Sequence, residues 1–366
     1  MTPKERMMTA LTGGKPDRLP ITIHQWQPYQ LKHHMGGADQ LEAYRMCGLD
    51  ASICMYEVMS LRRSPDWIVT QEPAGFQGDE ALTRVRVQTP TGDLNWTLAS
   101  NPQTTYISDH PVKTEEEAMR FVTYFPGLAV DRAALRQWVD RTGDAGIVRG
   151  FCTFFAQAGP WQELCEMMGT ENAIFWAMDQ PELIHELLRI LTEQKVRDIH
   201  ENMAGLPYDL IECGGGAASS TVISPAMFEE FCVPYDRSIN EALREEGFLS
   251  VYHTCGGMIP LLDLIPNNAT DASETLSPPG VGGDIRPEDR AMVKERLGSK
   301  VSLIGGVDQF HIIERGTADE IRADVRHCFE TYGVGGGYIC SASDHFFEAS
   351  VENLRTFAQA ALECVY

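Results

Sequence analysis

Nowhere in this chain do apolar residues run on for the roughly 18 positions that a membrane-spanning helix needs. The opening Met1-Thr2-Pro3-Lys4-Glu5-Arg6 is not followed by the apolar core of a secretory signal. Thr2, Pro3 and Glu5 instead match an N-cap, a first-turn proline and the glutamate of a capping box, so a helix is expected at once. These absences make a cytoplasmic protein the expectation. Positive charge is scarce too: 30 Lys+Arg stand against 52 Asp+Glu, a formal net charge of −22. No basic cluster interrupts that acidity, and nucleic acid, whose affinity rests on neutralised phosphates, is not an expected partner. The glycine clusters Gly214-Gly215-Gly216, Gly280-Val281-Gly282-Gly283 and Gly333-Val334-Gly335-Gly336-Gly337 carry neither a P-loop lysine nor a dinucleotide fingerprint, so they read as loops at a barrel mouth. Internal repeats, linkers and low-complexity tracts are missing, and residues 1–366 read as one domain.

Short β-like runs alternate instead with longer helical patterns, the signature of βα units around a parallel sheet. Eight strands are expected: Leu19–His24, Ala51–Met55, Gly146–Cys152, Tyr208–Cys213, Leu249–His253, Ala269–Glu274, Val301–Gly305 and Gly337–Cys340. Helices between them carry start signals, such as Ser224-Pro225 before Ala226–Glu245 and the Thr317/Glu320 capping box. Eight units of this kind fit an α/β fold, the (β/α)₈ TIM barrel, whose sites form at the carboxyl ends of the strands. Between the second and third strands, Ala81–Val87 alternates apolar and polar residues. The Thr89-Pro90-Thr91-Gly92 turn and Asp93–Leu98 follow, which predicts a β-hairpin insertion within roughly Asp66–Tyr106.

Ten cysteines without a signal sequence point to thiols and ligands rather than a disulfide framework. Cys165, Cys232 and Cys328 fall on apolar helix stripes and are expected to be buried and unbridged. His253-Thr254-Cys255 and Cys340 are different, because they sit at strand ends beside glycines. Residues i and i+2 of a strand share a face, so His253 and Cys255 can converge on one ion. One imidazole and two thiolates form a set suited to Zn²⁺ with a position left open. Glu274 also falls at a strand end. The competing reading is a buried histidine with two core cysteines. Cys213, also at a strand end, is a reserve ligand. Glu212, Asp308 and Asp344 (beside His345) are candidate catalytic acids, or alternatively helix caps and loop ion pairs.

Four segments together resemble the uroporphyrinogen decarboxylase superfamily. They are Met1–Arg6 with Asp17-Arg18-Leu19-Pro20, His253-Thr254-Cys255-Gly256-Gly257, Leu303-Ile304-Gly305-Gly306-Val307-Asp308, and Gly337-Tyr338-Ile339-Cys340. Within it, the His-x-Cys…Cys set is similar to the zinc-dependent methylcobamide:coenzyme M methyltransferases. That resemblance implies a TIM barrel and a zinc that activates a thiol. It also implies methyl transfer between that thiol and a corrinoid (methylcobamide) carried by a partner protein. By likeness to cobalamin-independent methionine synthase, Glu274 is implied as the fourth, exchangeable zinc ligand beside His253, Cys255 and Cys340. The decarboxylases proper hold their polyanionic substrate with an arginine-rich N-terminal segment. Here the equivalent stretch is Ile23-His24-Gln25-Trp26-Gln27-Pro28-Tyr29-Gln30, without arginine. His24, Trp26 and Tyr29, with His345, are therefore expected to contact a smaller, less charged substrate. Decarboxylation, or demethylation of a small donor toward the corrinoid, stays as the alternative.

Overall fold

The computed structural model describes residues 1–155 and 157–366. Eight parallel strands carry the fold: β1 (Ile21–Thr22), β2 (Ala51–Cys54), β3 (Gly146–Phe151), β4 (Leu210–Gly214), β5 (Leu249–His253), β6 (Ala272–Thr275), β7 (Ser302–Val307) and β8 (Tyr338–Ala342). Each pairs with its sequence neighbour from β2 to β8, and β8 pairs with β1. At the remaining seam the Asp50 amide donates to the Ile21 carbonyl at 2.9 Å, and the Ile21 amide donates back to Asp50 Oδ2 at 3.0 Å. Asp50 is buried there, held by Arg6 at 2.9 Å and Arg18 at 3.1 Å. The expected eight-stranded α/β barrel is what forms.

The pleat sorts side chains into an inner and an outer set, because successive residues of a strand face opposite ways. Ile147, Leu210, Val251, Ala272, Ile304 and Ile339 pack together inside, at the amino-terminal end of the barrel. The N-terminal helix Pro3–Leu11, capped by Thr2 and Glu5 as its sequence indicates, inserts Met7, Ala10 and Leu11 beneath them. Two residues further along the strands, the inner positions turn ionic: Arg149, Glu212, His253 and Glu274 are all buried. The barrel is thus plugged with hydrocarbon below and charged above.

The segment between β2 and β3 contains more than a hairpin. Glu80–Thr89 and Gly92–Ser100 form the expected pair, with Val85 opposite Trp96 and Val87 opposite Leu94. Ile68–Gln77 and Thr105–Asp109 add a strand on each side, making a four-stranded antiparallel meander. Ile68–Gln77 lies almost wholly exposed, so no alternation of apolar residues marked it beforehand. The helix expected over Ala226–Glu245 is two helices, Pro225–Phe231 and Val233–Glu245, broken where Pro234 starts the second. Cys165, Cys232 and Cys328 are buried and unbridged. Among the described residues, no helix is long and apolar enough to cross a membrane.

A carboxyl group is buried between barrel and helices. Asp236, on Val233–Glu245, accepts from the Tyr252 hydroxyl at 2.8 Å, while its other oxygen has no partner among the described residues. Burial pushes its carboxyl up to about 7, against the pull of the Tyr252 hydrogen bond and Lys195. A folded value above the unfolded one means that the stability this group contributes is fully present below about pH 4 and is lost as pH rises through 7. Asp236→Asn removes that dependence. Urea unfolding from pH 5 to 8 should show the variant gaining about 1–3 kcal/mol on the parent toward pH 8. Parallel pH profiles for the two proteins would refute the assignment.

Candidate metal centre at the barrel mouth

Arg149 projects inward from β3, and one guanidinium nitrogen, Nη2, reaches both Glu212 Oε2 at 2.9 Å and Glu274 Oε1 at 2.8 Å. All three side chains are cut off from solvent. Burial works against the guanidinium charge, but the two carboxylates raise its pKa above the ordinary value. Glu274 Oε1 also accepts from His253 Nδ1 at 3.1 Å and lies 3.6 Å from His24 Nδ1. Burial alone would protonate Glu274. Arg149, His24 and His253 together hold its carboxyl well below the usual range. Its second oxygen, Oε2, is buried without a hydrogen-bond partner among the described residues. His253 is equally enclosed, and burial opposes its protonation. The sulfur of Cys255 and the carboxylates of Glu274 and Glu212 nevertheless keep its pKa well above normal.

Above this layer the chain supplies softer donors. Cys255 follows β5 on the same face as His253. Its sulfur has room because Gly216 faces it: a Cβ there would come within 2.7 Å of Cys255 Sγ. Gly214, at φ +82°, lets the end of β4 pass close to the His253 carbonyl, where a Cβ would meet the oxygen at 2.6 Å. Asp344 and His345 arrive from the loop after β8, with His345 Nδ1 3.4 Å from Asp344 Oδ1 and His345 Nε2 3.3 Å from Gln25 Oε1. Burial would raise Asp344, but His345, His24 and His253 lower it. Burial and the neighbouring His24 pull His345 down to about 4. Donor atoms of His253, Cys255 and Asp344 lie within 4.8 Å of one another. The same holds for His24, Asp344 and His345, and for His24, Glu212, His253 and Glu274. Imidazole, thiolate and carboxylate donors gathered this closely, beside an unpartnered buried carboxylate oxygen, fit a divalent metal ion.

The profile of the family described as uroporphyrinogen decarboxylase (URO-D) matches residues 93–364. The chain belongs to the uroporphyrinogen decarboxylase family. Curated uroporphyrinogen decarboxylases from Xanthomonas campestris pv. campestris (strain B100) and Xanthomonas axonopodis pv. citri (strain 306) are 29% and 30% identical over 190 residues. That aligned stretch is 49% of this chain and 49% of each relative, about half the length of the curated proteins it matches. Among solved structures, a methyltransferase from Methanosarcina mazei superposes with a TM-score of 0.69 over 99% of both chains, at 17% identity, and so shares the fold.

Within this uroporphyrinogen-decarboxylase barrel, the residues singled out from sequence fall into two sets. His24, Glu212, His253, Cys255, Glu274, Asp344 and His345 come together at the mouth. Cys340 does not. Ile339 points into the barrel, so its neighbour Cys340 points outward, buried with Tyr338 and Ala342 in the layer between strands and helices and close to Cys328. The expected ligand set is corrected accordingly: Asp344, four residues later, stands where a second cysteine was anticipated. Cys213 also faces outward, beside Cys152. Asp308 caps the π-helical turn Gln309–Glu314, accepting from the Phe310 and His311 amides at 3.0 and 2.7 Å, and is not part of the cluster. Trp26 packs edge-on against Tyr44 and Phe346 in the core. Tyr29 is half-buried, its ring against His33 at 4.4 Å. Neither joins the donor cluster.

Arg149 was not singled out, although a charged residue inside the apolar run Gly146-Ile147-Val148-Arg149-Gly150-Phe151 is the signal that would have found it. Its removal should be costly, because two carboxylates would be left buried without a counter-charge. Arg149→Met is expected to destabilise the fold by about 3–5 kcal/mol in urea unfolding. Adding Glu212→Gln and Glu274→Gln should restore much of the loss. A single variant as stable as the parent would contradict the ion-pair assignment.

Proposed function

We propose that the protein is a zinc-dependent methyltransferase that moves a methyl group between a corrinoid, carried by a partner protein, and a thiol or similar small acceptor. The observation that carries this reading is the convergence of His253, Cys255 and Asp344 at the carboxyl ends of the barrel strands. One neutral imidazole, one thiolate and one carboxylate balance a divalent cation, and three protein ligands leave a position for substrate. When bound, zinc deprotonates a coordinated thiol outright and so supplies a nucleophile at neutral pH. Exchanging a second thiolate for Asp344 keeps the summed ligand charge, which is what retains electron density on a bound sulfur.

The chain's own residues set the geometry. Arg149 fixes Glu274, and Glu274 accepts the hydrogen bond of His253 Nδ1–H, which directs Nε2 toward an ion that would displace any proton there. Glu274 is thereby an orienting group through Oε1, which is shared among Arg149, His253 and His24, while its Oε2 stays available as the exchangeable fourth ligand. His24, His345 and Gln25 line the side of the mouth nearest β1, where a small acceptor would lie. The likeness to the Methanosarcina mazei methyltransferase supports this use of the barrel. A polycarboxylate substrate is disfavoured, because the charge of Arg149 is taken up by Glu212 and Glu274 and the chain carries −22 overall. That acidity suits a corrinoid protein presenting a basic face.

Zinc-loaded protein should consume methylcobalamin when given one of a panel of thiols or tetrahydrofolate, and chelation should abolish the reaction. Cys255→Ala and Asp344→Asn should lose the zinc held at His253 together with at least about 100-fold of the activity, roughly 3 kcal/mol of transition-state stabilisation. Cys340→Ala should keep both. Full zinc content in Cys255→Ala would end this reading.

A further inference from the structure

The three donor groups at the mouth overlap in a way that one ion does not use up. His24, Asp344 and His345 lie within reach of one another without His253 or Cys255. They are brought together by topology: β1 pairs with β8 in parallel register, Thr22 opposite Ser341. Two residues beyond Thr22, His24 is therefore level with the Ser343-Asp344-His345 segment. The His24 ring sits 5.0 Å from that of His345 and 4.9 Å from that of His253, between the two. Two imidazoles and one carboxylate with open positions form a set that takes borderline divalent ions.

We infer that the barrel mouth holds a second divalent-cation site, formed by His24, Asp344 and His345, which shares Asp344 with the site at His253 and Cys255. A carboxylate has two oxygens and can give one to each ion. Ions bridged in this way stand about 3.5–4 Å apart, the spacing of two-metal clamps on a substrate. The charges are consistent with double occupancy. Cys255, Asp344, Glu212 and Glu274 contribute four negative charges and Arg149 one positive, so two divalent ions leave a net charge of +1. That balance calls for one further anionic ligand, such as the thiolate of the acceptor. The inference rests on the proposed zinc centre only through Asp344, and its test separates the two sites.

Chelator-treated full-length protein is titrated with Co²⁺ under anaerobic conditions, and bound cobalt and visible absorption are followed together. The parent should bind two equivalents, with a thiolate-to-cobalt charge-transfer band from only one of them. His345→Ala should bind one equivalent and keep the band, whereas Cys255→Ala should bind one and lose it. Electron paramagnetic resonance of the doubly loaded parent should show coupling between the ions through the shared carboxylate, absent in His345→Ala. Saturation of the parent at one equivalent, or two equivalents in His345→Ala, overturns the second site and leaves the first standing. Two equivalents in the parent without the band overturn the thiolate site and leave the second. Should His345→Ala fail to fold by circular dichroism, His24→Gln takes its place, and the parent's stoichiometry decides regardless.

Discussion

A guanidinium held between two carboxylates inside a barrel is an expensive arrangement, since all three charges leave water and must find compensation in one another. Arg149 meets that condition with a single nitrogen placed between Glu212 and Glu274. Everything above it depends on the result. Glu274 stays ionised because Arg149 is there, and an ionised Glu274 accepts a hydrogen bond from His253 Nδ1–H and lies 3.6 Å from His24 Nδ1. The direction in which His253 presents Nε2 therefore traces back to a residue on β3 that touches no proposed ligand except through Glu274. Apolar side chains of similar volume would pack this layer at less cost, which makes precise placement of polar groups the physical reason for an ionic one.

The floor beneath the ionic layer contributes to its strength. Met7, Ala10 and Leu11 close the amino-terminal end together with six apolar strand residues, so water has no entry from below. Charges between that floor and the loops interact in a poorly screened medium, and buried pairs are far less sensitive to salt than surface ones. Access is left to the carboxyl end, where Cys255, Asp344 and His345 are only partly covered. A gradient from hydrocarbon to fixed charges to partly covered donors runs along the barrel axis.

Much of this was legible in the chain, and the exceptions have causes. Alternating helical and strand-like runs located all eight barrel strands, and the same-face rule for i and i+2 placed His253 and Cys255 together. Cys340 was misplaced because strands of a parallel sheet are buried on both faces. Tyr338-Ile339-Cys340 is apolar throughout, and no alternation says which way the sulfur points. Once Ile339 is known to lie in the lower plug, the pleat sends Cys340 outward and Ser341 inward. Asp344 belongs to a loop, where strand periodicity does not operate and proximity to β1 and β5 is a tertiary fact. The exposed strand Ile68–Gln77 had no pattern to read because nothing packs on it closely.

The position of Asp344 has a further consequence for the chemistry. It reaches the mouth from the loop after β8, beside β1, yet its oxygen approaches His253 at the end of β5 and Cys255 just after it, across the barrel. A cysteine at the end of a strand would have been held by ladder hydrogen bonds on both sides. A loop carboxylate is held instead by its neighbours, the His345 amide at 2.8 Å and the imidazoles of His345, His24 and His253. Carboxylates can bind through either oxygen or both, so an Asp here would offer an ion more than one mode of ligation. A thiolate cannot. The proposed third ligand is therefore set by contacts within a loop and with its imidazole neighbours rather than by a strand ladder.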